Sequence, residues 1–263
     1  MDDNPARLYL DLPENALQRL RGAIDAGLKQ TATDRSVPVF FRADDIGVMS
    51  STFARLMDLF SQHRMPLCLA VVPTWLSRSR WSTFSNYWET SSPLWCWHQH
   101  GWRHANHETT GKKSEFGNTR SSEALKHDLA NGRDHLRRII GERYSPFFTP
   151  PWNRCSELTI SLLQELGVHG ISRSSGEQKG AASLPDYYIN VDLHTRKEPS
   201  AELCLDALSE EMKRAVASGR VGIMIHHQRM NDLAFTLLDG LLGLISNNHA
   251  LIPNNFNNLH SNP

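Results

Sequence analysis

Short apolar runs rich in valine, isoleucine and aromatic residues recur along the chain. They predict β strands at 37–45, 67–73, 94–100, 146–152, 167–172, 187–194, 221–227 and 250–253. The first of these runs, VPVFFRADD at 37–45, is almost entirely apolar until it ends in charge. Such a run is typical of a strand that is buried on both faces of a sheet.

Between these runs, leucine and isoleucine recur at the three- and four-residue spacing of amphipathic helices. Gly141 and Gly167 end two such helices, and residues 14–30 predict an extra helix before the first strand. Repeated strand–helix units imply a parallel sheet. We therefore predict an α/β protein, a single distorted (β/α) barrel of seven or eight strands at 37–255. An N-terminal helical extension at 1–36 and a flexible tail at 256–263 complete the predicted domain organisation.

Length and composition narrow the class of protein. The 263 residues, 40% of them hydrophobic, are enough to bury a full core. Lysine plus arginine balances aspartate plus glutamate at 28 each, so no net positive field favours nucleic acid as a partner. The acidic start of the chain does not resemble a secretory signal, and no run of 18 apolar residues predicts insertion into a membrane. The four cysteines are scattered singly along the chain. We therefore expect a cytoplasmic protein with buried, reduced thiols.

Side chains that carry chemistry are concentrated at the carboxyl ends of the predicted strands. They are Asp44 and Asp45 on the first strand, His98 and His100 on the third, Trp152 on the fourth, Asp192 and His194 on the sixth, and His226 and His227 on the seventh. In a (β/α) barrel these ends converge on one face, where the active sites of such barrels are built. The distribution therefore predicts an active site at that face.

The run from Trp97 to His107, which begins inside the third predicted strand, holds four histidines. His100 and His104 are spaced so that both imidazoles can meet one ion if the segment is helical, and His98 with His100 on one strand face could do the same. The adjacent Asp44 and Asp45 can divide two tasks, one as a metal ligand and the other as a proton acceptor, although a helix cap is the alternative. We predict one divalent metal ion, in the first place Zn²⁺, with Co²⁺, Ni²⁺, Mn²⁺ or Fe²⁺ as alternatives.

At these residues the chain resembles the polysaccharide deacetylase superfamily, which includes carbohydrate esterase family 4. The family's Thr-Phe-Asp-Asp motif is matched by RADD at 42–45, and its H-[ST]-x-x-H motif by HGWRH at 100–104. Its third motif, R-x-P-[FY], is matched in part by TPPW at 149–152, and its fourth by Asp192 without the following Trp. Its L-x-L-H motif resembles IMIH at 223–226. The five matches occur in the family's order over nearly the whole predicted barrel.

The resemblance implies roles for individual residues. Asp45, His100 and His104 would hold the metal, Asp44 would be the general base and His226 the general acid. The family's arginine that orients the base is replaced by Thr149, and Arg42, Arg154 or Arg173 are the candidates to take its place. Loss of such a motif residue also occurs in family members that have lost or changed activity.

The substrate that the resemblance implies is an N-acetylated sugar. The candidate substrate-binding residues are Trp102, Trp152, Arg154, Asp192 and His227. Two long loops, 105–122 and 173–186, follow strands at the predicted active face and would rim it. A rimmed site favours a small saccharide or sugar conjugate, such as a lipid-linked or nucleotide-linked amino sugar made for surface polysaccharide, over a long polymer.

Three alternatives compete with this interpretation. ADDIG at 43–47 also resembles the start of the YdjC-like diacetylchitooligosaccharide deacetylases, another class of metal-dependent barrel. A degenerate barrel that binds a saccharide without cleaving it would keep the fold and lose the metal or the activity. An amidohydrolase-like enzyme is disfavoured, because that class usually has His-x-His on its first strand, and here the first strand ends in two aspartates.

Overall fold

The computed structural model describes residues 4–31, 36–177 and 184–261. Within these ranges the helices are α1 Ala16–Leu28, α2 Ser51–Gln62, α3 Arg78–Tyr87, α4 Ser122–Ile140, α5 Glu157–Glu165, α6 Ala201–Ala217, α7 Asp232–Ser246 and α8 Phe256–Ser261. The strands are β1 Val37–Ile46, β2 Leu67–Val71, β3 Trp95–His100, β4 Tyr144–Thr149, β5 Gly170–Ile171, β6 Val191–Asp192, β7 Val221–Ile225 and β8 Leu251–Asn254. The predicted alternation of strands and helices is confirmed, and α1 is the helix predicted before the first strand.

The chain divides into two compact units. The first comprises the residues up to Ala43 together with Ser50–Leu67 and Asn190–Asn255. Its strands pair in parallel in the order β8-β1-β7-β6, with Val39 opposite Val221 and Ala43 opposite Ile225. Helix α1 packs on α6 so closely that a Cβ on Gly27 would lie 2.7 Å from Cβ of Val216. Only glycine allows that approach.

The second unit comprises Asp44–Met49, Cys68–Ile189 and the residues from Phe256 onward. Its strands are parallel in the order β2-β3-β4-β5. Leucines spaced along α4 and α5 pack with Phe148 of β4 in one hydrophobic cluster, which is the core that the helical periodicity predicts. Ser121 and Ser156 begin these two helices, since each side-chain oxygen accepts a hydrogen bond from the backbone N–H three residues later.

Two predicted strands are much shorter than expected. The apolar runs at 167–172 and 187–194 yield only the two-residue strands β5 and β6. Gly167 adopts a φ of 74° just after α5, so the chain is still turning there. At β6 the carboxylate of Asp192 accepts hydrogen bonds from the backbone N–H groups of His194 and Thr195, which bends the chain away from extended pairing.

The end of the chain was expected to be flexible from residue 256, and the structure instead forms helix α8. Phe256 is fully buried and packs on Phe147 and Tyr187, with ring centroids 5.5 and 5.2 Å away. Large aromatic side chains contribute much of the energy of packed cores, so the burial of Phe256 helps to hold α8 against β4. In the described part of the chain, no helix combines the length and apolar character needed to cross a membrane, and three of the four free cysteines are buried.

Candidate metal centre

The two adjacent aspartates lie at the end of β1, and both are buried. Asp45 has a φ of 64°, in the left-handed region that non-glycine residues rarely adopt. This backbone breaks the alternation of side chains along the strand. Strained residues of this kind cost on the order of 1–3 kcal/mol and cluster at functional sites.

His100 is the last residue of β3, and a turn rather than a helix brings His104 back beside it. Gly101 and His104 both have left-handed backbone, with φ of 62° and 57°. The helical segment considered from the i, i+4 spacing is therefore wrong, although the two imidazoles do meet, with ring centroids 5.2 Å apart. The glycine directly after the strand makes the sharp reversal possible.

Asp45, His100 and His104 converge on one point. The Oδ1 atom of Asp45 lies 3.4 Å from Nε2 of His100 and 3.2 Å from Nε2 of His104, and their ligand atoms all lie within 4.8 Å of one another. Ligands about 2.1 Å from a tetrahedral zinc ion are themselves about 3.4 Å apart. One carboxylate oxygen and two imidazole nitrogens are also a donor set that zinc accepts, so these residues fit a divalent metal ion.

Backbone carbonyl groups of β3 and β4 fix which imidazole nitrogens carry protons. Nδ1 of His100 donates to the carbonyl oxygen of Thr149 at 2.9 Å, so in the neutral imidazole Nε2, on the side of Asp45, carries the lone pair that would bind a cation. Both nitrogens of His98 are used elsewhere, because Nδ1 donates to the carbonyl of Cys96 and Nε2 accepts from the Thr149 hydroxyl at 2.8 Å. His100 is thus presented as a ligand, and His98 is a structural residue.

The two ligand histidines differ in their affinity for a proton. Burial lowers the pKa of His100, but the hydrogen bond to Asp45 and the charges of Asp44 and Asp45 outweigh it, so the pKa is raised. Burial and the positive charge of His100 lower the pKa of His104 to about 4. The carboxylates therefore stabilise one positive charge among the imidazoles, and a bound cation would be stabilised in the same way.

Aromatic rings enclose His104 on two sides. The ring of Trp152 lies 4.5 Å and that of Trp75 5.8 Å from its imidazole, measured between centroids. Trp152 follows β4 in a turn where its φ is 56°. Trp102, the other tryptophan predicted to bind substrate, instead packs against the hydrophobic cluster of α4 and α5. Trp75 was not predicted, although its position shortly after β2 is a signal that could have found it.

The arginines that were considered as replacements at the third motif make other contacts. Arg173 forms a buried ion pair with Asp186 at 2.9 Å, which ties together the ends of the predicted loop 173–186. Residues 178–183 of that loop lie outside the described residues. Arg154 donates to the carbonyl of Lys113 at 3.4 Å, and Arg42, in the first unit, donates to the sulfur of Met224 at 3.3 Å.

The remaining predicted site residues belong to the first unit. The carboxylate of Asp192 binds the turn that follows it, through the N–H groups of His194 and Thr195. The backbone N–H of His226 donates to Nδ1 of His194 at 3.2 Å. His227 packs on Phe53 with ring centroids 5.5 Å apart. Burial and the neighbouring His226 lower the pKa of His194 well below its usual value.

One polar residue of the second unit was missed altogether. Glu115 is fully buried in the loop after His104, and its carboxylate accepts hydrogen bonds from the backbone of the turn that carries this histidine. Nothing in the local sequence pattern marks it, because a glutamate in a polar loop is usually exposed. The turn around Gly101 was the available signal that several backbone N–H groups there would need acceptors.

Comparison with known proteins establishes the fold. No protein-family model matches the chain, and no curated protein matches it. A Mycobacterium smegmatis protein assigned to the polysaccharide deacetylases aligns over 88% of this chain and 92% of its own, with a TM-score of 0.61 and 12% identity. A family 4 acetyl xylan esterase from Clostridium thermocellum, in complex with a cobalt ion, aligns over 82% and 87%, with a TM-score of 0.52 and 12% identity.

A third similar structure is a family 4 carbohydrate esterase pseudoenzyme from Bacillus anthracis. It aligns over 83% of this chain and 63% of its own, with a TM-score of 0.53 and 12% identity. The chain therefore has the fold of the polysaccharide deacetylases and family 4 carbohydrate esterases, and the predicted (β/α) barrel class is confirmed. Because active enzymes and a pseudoenzyme share this fold, activity has to be argued from the site.

Proposed function

We propose that the protein is a metal-dependent carbohydrate N-deacetylase, which hydrolyses the amide of an N-acetylated amino sugar. The observation that carries this proposal is the convergence of Asp45, His100 and His104 at the end of parallel strands. Their donor atoms match those that a zinc-type ion needs. When bound, such an ion lowers the pKa of a water molecule from far above neutrality to about 7 and polarises the carbonyl to be attacked.

The protein's own residues would supply the proton transfers. Asp44 is buried next to Asp45, and its charge acts on both His100 and His104. We assign Asp44 as the general base that takes a proton from the attacking water. The hydrogen bond from His100 to Thr149 and the turn at Gly101 keep both ligand imidazoles in place while the carboxylate acts.

His226 is assigned as the general acid that protonates the departing amine nitrogen. The parallel pairing of β1 with β7 extends to Ala43 and Ile225, the residues immediately before Asp44 and His226. The acid is needed because an unprotonated amine is a poor leaving group. Trp152 and Trp75, which border His104, are the aromatic surfaces that we assign to the sugar ring.

The substrate that we propose is a small saccharide or sugar conjugate. The loop after His104 is tied down, since the carbonyl of the fully buried Phe116 accepts from the backbone of Ser156 at 2.8 Å and from the hydroxyl of Thr159 at 3.0 Å. We propose that this fixed loop rims the site, and a fixed rim would favour a short ligand. A non-catalytic saccharide-binding barrel is the second candidate, because Thr149 stands where the deacetylases have the arginine that orients the base.

Release of acetate decides between the two candidates. The protein would be stripped of metal with a chelator, reloaded with Zn²⁺ or Co²⁺, and assayed on N-acetylated mono- and disaccharides and on long chitin-like chains. The enzyme proposal requires acetate release that depends on the added metal. Saccharide binding without acetate release would support the non-catalytic candidate, and turnover that rises with chain length would contradict the small substrate.

A further inference from the structure

The turn that carries His104 is held by a carboxylate from the same chain. Three consecutive backbone N–H groups, of Trp102, Arg103 and His104, point to one side and donate to Glu115 at 3.2, 2.7 and 3.2 Å. Successive N–H groups arranged in this way form a small anion-binding concavity. Here the anion is the fully buried side chain of Glu115, so the protein's own carboxylate occupies the concavity.

The space around this carboxylate is shaped for it. A Cβ at Gly101 would overlap Oε2 of Glu115, and Gly101 also needs its φ of 62°. On the other side of the turn, Nε2 of Gln99 donates to the carbonyl of Gly101 at 3.0 Å and to that of Leu129 at 3.1 Å. Hydrogen bonds therefore hold the turn at the carbonyl of Gly101 and at the three N–H groups that follow it.

These hydrogen bonds act on a residue whose backbone is strained. His104 has a φ of 57°, which a non-glycine residue keeps only when its surroundings hold it. In that conformation Nε2 of His104 reaches within 3.2 Å of Asp45. Without the acceptor on its N–H, the turn would relax and withdraw the imidazole from the two other candidate ligands.

We propose that Glu115 is a positioning residue for His104, and that the affinity of the site for a divalent metal depends on its carboxylate. The inference rests on the metal centre of the proposed function. Residues that orient ligands from outside the coordination sphere typically change metal affinity by about 10–100-fold. Glu115 touches the backbone of the ligand and not the ligand atoms, so it acts through geometry.

The test measures affinity for Zn²⁺ by competition with a chromogenic chelator, and the absorption spectrum of the Co²⁺ form. Glu115→Gln keeps the shape but replaces one acceptor oxygen by a donor, whereas Glu115→Asp keeps the charge and withdraws it by about 1.5 Å. Both variants should lose about 10–100-fold in Zn²⁺ affinity and alter the Co²⁺ spectrum. Glu108→Gln, in the same loop, where the backbone of Glu108 bonds to the side chain of Asn106, should match the wild type.

The melting temperature of each metal-free variant separates positioning from folding. Weaker metal binding in a variant that melts like the wild type supports the inference, and if Glu115→Gln does not fold, Glu115→Asp decides by the same measurements. Wild-type affinity and spectrum in a folded Glu115 variant, or an equal loss in Glu108→Gln, would overturn it. If the unaltered protein binds neither Zn²⁺ nor Co²⁺, it is the proposed function that fails.

Discussion

Two groups of histidines follow parallel strands, His100 with His104 in the second unit and His194 with its neighbours in the first. The two groups differ in the charges around them. In the second unit, His100 and His104 face the carboxylate of Asp45 at 3.4 and 3.2 Å. In the first unit, Nδ1 of His194 accepts the backbone N–H of His226 at 3.2 Å. The pKa of His100 is raised by the carboxylates, whereas the pKa of His194 is lowered far below its usual value by burial.

The difference shows that histidines at strand ends do not by themselves define a metal site. After burial, the groups that lower the pKa of His194 are His226, Arg229 and His227, all of which are cationic when protonated. Such surroundings favour the neutral form of His194. By contrast, the carboxylate of Asp45 makes the pair His100 and His104 suitable for binding a cation.

The largest effect is expected from removing that carboxylate. Asp45→Asn should abolish Zn²⁺ binding, because the loss of a direct ligand should exceed the ~100-fold that outer residues reach. His194→Gln, the matched change in the first unit, should leave Zn²⁺ affinity unchanged. Chelator competition measures both. Comparable losses of affinity in the two variants would remove the contrast.

Asp44→Asn should separate chemistry from metal binding. If Asp44 takes the proton from water, acetate release should fall by about 10²–10⁴-fold, the usual contribution of general base catalysis. The metal content should remain that of the wild type, because Asp45 still supplies the carboxylate ligand. Metal analysis of the same preparation is the control, and a variant that loses metal along with activity would assign Asp44 to the ligand set instead.

His226→Ala tests the role of the first unit in proton transfer. Cleavage of an N-acetyl amide should slow by about 10²-fold or more, because the amine leaves only when protonated. Cleavage of an acetyl ester with an activated phenol leaving group should change much less. Steady-state rates on both substrates give the ratio. Equal losses on amide and ester would exclude His226 as the acid.

The last effect is a pH dependence of stability in the metal-free protein. His104, with a pKa lowered from 6.5 to about 4, and His194, also lowered, stay neutral when folded but bind a proton when unfolded. Stability is therefore complete above pH 6.5 and falls as the pH drops toward 4, by up to about 1.4 kcal/mol per pH unit for each group. His100 contributes in the opposite direction, because its raised pKa adds stability at low pH that is lost as the pH rises through it.

Substitution of His194 sharpens that measurement. His194→Gln should flatten the fall in melting temperature below pH 6.5, since one of the groups that must be kept neutral is gone. His249→Gln, at an exposed position of the same unit, is the control and should keep the wild-type slope. An unchanged slope in His194→Gln would mean that the imidazole is protonated in the folded protein.

The parts of the fold that the sequence predicts are those with strong local patterns. The apolar run that ends in Asp44 and Asp45 and the run that ends in His100 predict both the strands and the side of the sheet where the ligands meet. The resemblance at HGWRH, 100–104, supplied the ligand pair. The turn that joins the pair could not be predicted, because it depends on Glu115, which comes from further along the chain and is buried only in the folded protein.

The surroundings of the aromatic residues were also not predictable from local sequence patterns. Trp102 lies inside the motif and was expected at the site, and the structure packs it, partly buried, against the hydrophobic cluster of α4 and α5. Trp75 lies outside every motif, and the fold places it against His104. The helix that begins at Phe256 was hidden by an asparagine-rich segment, because the contacts that hold it come from distant strands. Tertiary contacts, which leave no local periodicity, decide all three.

The central claim is that one divalent metal ion binds between Asp45, His100 and His104. Diffraction data collected above and below the zinc absorption edge, from crystals grown with Zn²⁺, would locate the ion directly. We expect one anomalous peak at about 2.0–2.3 Å from Oδ1 of Asp45 and from Nε2 of both histidines. A peak at His194, His226 and His227, or no peak in crystals that contain the metal, would contradict it.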